Sequence, residues 1–191
     1  TMGALDMALR SGKALYVGVS SYNGQRTAQA TALLKEFGQR CLVHQPTYSM
    51  LNRWIETEGL LSTLQTENMG CIVFSAMADG LLTNKYLGDE PGESSGQTRS
   101  IFSSDLLTAE NVADLRALNE IASLRGQTLA QMALAWVLRN PRITSVLIGA
   151  NNVTRIEESV GALGNLTFTP QELTRIDFHA NNGGFTAWAT Y

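Results

Sequence analysis

The sequence predicts an α/β fold with a parallel sheet. Short apolar runs alternate with helical patterns along the whole chain, giving four strand–helix units. Every one of these strands is short and apolar, as expected where both faces of a sheet are covered. With 191 residues the chain is long enough for one domain with a real core. A closed (β/α)8 barrel needs eight such units, in about 250 residues. The four strands therefore form either an open sheet or half of a barrel. A lone half would leave two sheet edges and an apolar inner face in water.

The first helical pattern covers residues 2–11, with Leu5, Met7, Ala8 and Leu9, and Gly12 stands where a C′ glycine is favoured. Residues 14–20 are a compact apolar run, read as the first strand. Helical spacing returns over residues 27–37, at Ala30, Leu33, Leu34 and Phe37, and Gly38 stops it. Residues 41–46 form the second strand, ended by Pro46. Residues 58–67 carry Leu60, Leu61 and Leu64 on one side of a helix, and 70–75 form the third strand. The stretch 76–104 is rich in Gly, Ser, Asp and Glu, a loop long enough to be functional or disordered. Thr108 is positioned to cap a helix that runs to Gly126. The helix 129–138 is apolar almost all round, so it should be buried. Residues 145–148 form the fourth strand and 153–163 its helix. Thr169, Pro170 and Glu172 then supply a capping box and a first-turn proline for a last helix. The Gly-rich tail ends with Phe185, Trp188 and Tyr191, which either close over a pocket mouth or pack between subunits.

Hydrophobic residues make up 44% of the chain and charged ones 16%, with a net charge of −3. That composition suits a globular protein and gives no basic field for nucleic acid or an anionic membrane, so neither is expected as a partner. No apolar run reaches the length of a membrane span and no signal-peptide pattern opens the sequence, so a cytoplasmic protein is expected. Cys41 and Cys71 have no neighbours at metal-ligand spacing and read as reduced core residues. Thr1, rather than Met, opens the first helical pattern, which gives the chain the look of a cut one.

The stretch Val146-Leu-Ile-Gly-Ala-Asn-Asn-Val-Thr-Arg-Ile-Glu-Glu-Ser159 reads as strand, tight turn at Gly149, and helix. Such a turn offers unpaired N–H groups and the positive end of a helix dipole, with Arg155 on the first turn to grip a phosphate at two points. The competing reading is an ordinary connection with a solvated arginine.

The ends of the strands carry a resemblance. Gly18-Val-Ser-Ser-Tyr22, Gln45-Pro-Thr-Tyr-Ser49, Phe74-Ser-Ala-Met-Ala-Asp-Gly-Leu-Leu-Thr-Asn-Lys-Tyr86, Gln131-Met-Ala-Leu-Ala-Trp136 and Val146-Leu-Ile-Gly-Ala150 resemble, in order and spacing, the second half of the aldo-keto reductases. The branch is that of the bacterial L-glyceraldehyde 3-phosphate reductases and the potassium-channel β subunits. Leu51-Asn-Arg-Trp54 and Gly80-Leu-Leu-Thr83 favour its bacterial side. The resemblance covers essentially the whole chain, 1–191, as one unit. It implies a (β/α)8 TIM barrel that binds NADP(H), with strands five to eight on this chain and the N-terminal half absent. Ser20, with Ser21, and Gln45 would hold the nicotinamide carboxamide; a primary amide needs an acceptor and a donor, and Gln offers both. Phe74 would stack on the nicotinamide. Ser75, Met77 and Gly80 would line the loop over the pyrophosphate. Lys85 and Arg99 match basic residues that face cofactor phosphates. Gly149, Asn151, Arg155, Glu158 and Ser159 match the set around the adenosine and its 2′-phosphate. Many relatives in this branch have Ser, Gln and Asn where this chain has Asn151, Arg155 and Ser159. Arg155 should favour the extra phosphate of NADP. Asp79, an acid in a phosphate loop, reads as a solvated carboxylate.

The family's catalytic Asp, Tyr, Lys and His lie on the first four strands, and none of their motifs is in this sequence. Tyr22 and Tyr48 sit at strand ends, either lining a pocket or packed at its rim. His44 neighbours Gln45 on one strand, so the pleat sends it to the opposite side, and His179 is expected at the surface. No residue of this chain is expected to be catalytic. Three readings follow. The chain is the cofactor half of an NADPH-dependent reductase acting on a small-molecule carbonyl substrate; or it belongs to a non-catalytic regulatory subunit of the channel-β type; or it is a half-barrel that dimerises without activity. A homo-oligomer is expected. A barrel glycosidase is weaker, since the third strand ends in Phe74-Ser75 without a carboxylate.

Overall fold

The computed structural model describes residues 1–87 and 108–181. Four parallel strands form one sheet in the order of the chain: β1 (Val17–Ser20), β2 (Cys41–Gln45), β3 (Gly70–Val73) and β4 (Ser145–Val146). The register pairs Val19 with His44 and His44 with Cys71, and Val73 with Val146. Since side chains alternate across a strand, Val17, Val19, His44, Cys71 and Val73 share one face, and all are buried. On the other face, Gly18, Val43, Gly70 and Ile72 are only half-buried. The α/β class and the parallel sheet are as the sequence predicts.

The helices are α1 (Met2–Arg10), α2 (Gly24–Glu36), α3 (Trp54–Thr57), α4 (Leu60–Thr66), α5 (Ala109–Leu124), α6 (Leu129–Leu138), α7 (Val153–Gly161) and α8 (Pro170–Asn181). Polar caps set their starts. Asn23, Thr108, Thr128 and Asn152 each accept a hydrogen bond from the backbone N–H three residues on. Thr169 and Glu172 form the predicted reciprocal pair at the start of α8. Asn23 starts α2 three residues earlier than its apolar spacing suggests, and the single turn α3 has no periodic signal long enough to reveal it.

The core gathers around α6, whose Leu129, Met132, Ala133, Leu134, Trp136 and Val137 are buried together with Leu34, Ile55, Leu64, Leu115 and Leu118. Beneath it lies a polar seam. The Tyr48 hydroxyl donates to Glu56, Arg139 donates to the same hydroxyl at 3.3 Å, and the Arg139 guanidinium lies 3.6 Å from the Trp136 ring centroid. Arg53 sits 4.5 Å from that ring and pairs with Asp177 at 2.6 Å, tying α8 to the core. Tyr48 is therefore packed beyond the end of β2, fully buried, and does not line a pocket. Cys41 and Cys71 are free and buried, and burial pushes the Cys71 thiol up to about 12 and the Cys41 thiol above its ordinary value.

Strand lengths fall short of the apolar runs. Leu15 and Tyr16 precede β1 with 85% and 71% of their surface exposed. Leu147 and Ile148 follow β4, also exposed, although Leu147 still donates to the Val73 carbonyl. His179 is not a free surface residue: it is half-buried and bonds Asp114 at 2.8 Å, joining α8 to α5. Among the described residues no helix is long and apolar enough to cross a membrane, and no three His, Cys, Asp or Glu side chains cluster to hold a metal ion.

Candidate functional site

Parallel strands put all their C-terminal ends on one rim, and most of the predicted residues stand there. Ser20 ends β1 and Gln45 ends β2, paired in register on the less covered face. The Ser20 hydroxyl donates to the Gln45 carbonyl at 2.7 Å, which leaves its lone pairs to accept. The Ser21 N–H donates to the same carbonyl at 3.2 Å, and Ser21 holds φ 54. The half-buried Gln45 side-chain amide takes no hydrogen bond among the described residues, so its donor and acceptor both stay available. His44, its neighbour, points into the helix layer as the pleat requires. Its Nε2 bonds the Tyr22 carbonyl at 3.0 Å, and burial pulls its pKa down to about 4. Gly18 stands below Ser20, and a Cβ there would lie 2.5 Å from the Val43 carbonyl oxygen; only glycine lets β1 and β2 approach this closely.

Phe74 follows β3 half-buried, locked by bonds from its N–H to the Pro46 carbonyl and from the Tyr48 N–H to its own carbonyl. The chain then turns through a run of left-handed residues. Ser75, Ala78 and Asp79 hold φ of 56, 48 and 48, and Gly80 holds φ 100. Among the described residues, no acceptor takes the N–H groups of Ser75, Ala76 and Met77. Consecutive free amides beside a left-handed residue form an anion-binding concavity. Asp79 is exposed, the solvated carboxylate that the sequence predicts, and it also accepts from the Ser75 hydroxyl at 3.0 Å, which braces the turn. Lys85 is exposed, 5.1 Å from the Tyr86 ring centroid. Arg99 lies outside the described residues, as do Phe185, Trp188 and Tyr191.

On the far side of the rim, Gly149 and Asn151 are exposed in the turn after β4. Asn152, a residue the motif reading passed over, caps α7 by accepting from the Arg155 N–H at 2.9 Å. Its Asx position before Val153 is the signal that identifies it. Arg155 is exposed on the first turn and its guanidinium has no partner among the described residues. Glu158 is exposed one turn on, and the Ser159 hydroxyl donates to the Arg155 carbonyl at 2.8 Å. The predicted set thus divides into a strand-end group (Ser20, Ser21, Gln45, Phe74), a loop group (Ser75, Met77, Gly80, Lys85) and a helix group (Gly149, Asn151, Arg155, Glu158, Ser159). A neutral amide-bonding end, an anion-binding middle and a cationic end suit an extended ligand with a carboxamide and several phosphates.

The aldo/keto reductase family model matches residues 1–181. The chain is 48% identical over 192 aligned residues to the L-glyceraldehyde 3-phosphate reductase of Escherichia coli (strain K12), covering 98% of this chain and 56% of that protein. It is 31% identical to a putative voltage-gated potassium channel subunit beta of Schizosaccharomyces pombe, over 91% of this chain and 52% of the other. It is 29% identical to a probable subunit of the same type in Oryza sativa subsp. japonica, over 93% and 56%. The chain spans about half the length of these relatives.

Proposed function

This chain belongs to the aldo/keto reductase family, and from that premise we propose that it is the nucleotide-holding half of an NADPH-dependent oxidoreductase that reduces an aldehyde or ketone. The observation that carries the reading is the rim itself. Among the described residues, Gln45 keeps a free amide at one end, Ser75 to Met77 keep free N–H groups in the middle, and Arg155 keeps an unpaired guanidinium at the other. These residues fit a nicotinamide dinucleotide. Ser20 and Gln45 would orient the carboxamide, Phe74 would stack on its ring, and the 75–80 turn with Lys85 would bind the pyrophosphate. Arg155 would take a 2′-phosphate, Glu158 would accept from the adenine amine, and Asn151 and Ser159 would flank it. When bound, the reduced nicotinamide supplies hydride to a carbonyl carbon. The rim residues Ser20, Gln45 and Phe74 would hold its ring, and the proton for the carbonyl oxygen would come from residues outside this chain.

The barrel is part of the same proposal. Among the described residues, β1 and β4 each pair along one edge only, and the half-buried face of Gly18, Val43, Gly70 and Ile72 lies open opposite the helix layer. Along α7, Val153, Ile156 and Val160 expose 68%, 47% and 57% of their surface in one stripe. Four further strand–helix units in the complete protein would cover all three. Glyceraldehyde 3-phosphate or a similar small aldehyde is the first substrate to try, because the 48% relative is named for it. Homo-oligomerisation belongs to the proposal as well.

NADPH titration by protein fluorescence, followed by assays on a panel of small aldehydes, tests it. The complete protein should bind NADPH and turn it over, and the 191-residue chain should be inactive. A complete protein that binds NADPH without turnover would favour the regulatory reading suggested by the channel-subunit relatives. A complete protein that binds no nucleotide would sink the proposal.

A further inference from the structure

The amide of Gln131 serves two helices at once. Its Oε1 accepts from the Thr128 N–H at 3.0 Å while the Thr128 hydroxyl accepts from the Gln131 N–H at 3.2 Å, closing the capping box of α6. Its Nε2 donates at 2.9 Å to the Glu158 carbonyl on α7. A capping box accepts Glu or Gln equally at this position; only Gln also donates. Gly161 makes room for the amide, since a Cβ there would stand 2.6 Å from Nε2. None of the residues of α7 is buried. Its apolar stripe faces away from this chain's core, so the hold from α6 weighs heavily in its placement.

We propose that Gln131 is a positioning residue for the nucleotide site: its Nε2 donor fixes α7, and with it Arg155 and Glu158, against the sheet rim that carries Gln45. The proposal rests on the dinucleotide reading of the rim. It concerns only the phosphate and adenine end, because Ser20, Gln45 and Phe74 are held by strand contacts that α7 does not share.

Gln131→Glu separates the two duties of the amide. The carboxylate still accepts from the Thr128 N–H and keeps the cap, but it can only repel the Glu158 carbonyl. Gly161→Ala reaches the same bond from the other side. It displaces the flexible amide while adding a good helix former, so it should weaken the site without costing stability. In the complete protein both variants should raise the dissociation constants of NADPH and adenosine 2′,5′-bisphosphate by about five- to tenfold, the loss of one hydrogen bond's worth of placement. Nicotinamide mononucleotide should bind both variants like the wild type, and the urea midpoint of Gly161→Ala should stay at the wild-type value, since the better helix former offsets the lost bond. Hydrogen exchange of the α7 amides should speed up in both, with α6 unaltered. Unchanged α7 exchange overturns the positioning role whatever the nucleotides do. Equal weakening of both half-ligands, or unchanged affinity for all three, overturns the link to the site. A wild-type protein that binds none of the ligands refutes the dinucleotide reading and the link to the site with it, while the exchange data still decide whether Gln131 holds α7.

Discussion

Helices α6 and α7 begin alike and end up in opposite environments. Each opens on a polar cap whose side chain accepts from the N–H three residues on, and they have ten and nine residues. Yet α6 buries Leu129, Met132, Ala133, Leu134, Ala135, Trp136 and Val137, and α7 buries nothing. The sequence contains the reason. Apolar residues surround α6, so no orientation would leave it content at a surface. In α7 they form one stripe, and charged Arg155, Glu157 and Glu158 cover the rest. The stripe is exposed because none of the described residues lies across it. One helix is a structural member of this sheet; the other carries charged side chains and an exposed apolar stripe, which the proposed nucleotide site and the proposed barrel would use.

Variants of the two helices should differ accordingly. Trp136→Ala removes a fully buried ring against which two guanidinium groups pack. It should lower the unfolding free energy by about 4 kcal/mol in urea titrations; a loss under about 1 kcal/mol would show that the ring is not part of the core. His44 reports on the helix face of the sheet. Its pKa falls from 6.5 when unfolded to about 4 when folded. Between those values the unfolded chain holds a proton that the folded chain refuses, so stability falls as pH falls through that window and the loss is complete near pH 4. The total is on the order of 3 kcal/mol. Urea midpoints at pH 7, 6, 5 and 4 should trace this decline. His44→Gln, which has no proton to gain, should flatten it, and an undiminished slope would assign the effect to other groups.

Smaller effects belong to α7. Arg155→Gln should cut the preference for NADPH over NADH by about tenfold, the value of one charge-assisted contact to a phosphate. An unchanged ratio of the two affinities would remove Arg155 from that role. Ile156→Ser should change the stability of the 191-residue chain by no more than about 0.5 kcal/mol, as at any exposed site. In the complete protein the same substitution should cost about 1–2 kcal/mol, because the stripe would be buried there. Equal small effects in both settings would mean that the stripe stays in water and that the barrel closes in some other way.

Much of this was legible in the residues. The alternation of apolar runs and helical patterns, the caps at Thr108 and Thr169, the buried character of α6 and the divergence of His44 from Gln45 all follow from periodicity and local hydrogen bonding. These act over a few residues, and the sequence states them directly. The motif residues at strand ends were legible for the same reason: a parallel sheet collects its C-terminal ends on one rim. Leu15, Tyr16, Leu147 and Ile148 read as buried strand and lie exposed, because hydrophobicity measures a residue's preference for burial and not the presence of a neighbour. Tyr48 read as a rim or pocket residue; its burial depends on Glu56 and Arg139, the latter 91 residues away. His179 found a partner in Asp114, 65 residues away, that no local pattern announces. The sequence by itself determined the class of fold, the strand order's raw material and the chemistry available at each strand end, since those are set by side-chain identity and short-range spacing. Only the tertiary structure decided which polar groups are taken and which stay free, and that Gln131 reaches α7, because a hydrogen bond between distant segments exists only once packing has brought them within 3 Å of each other.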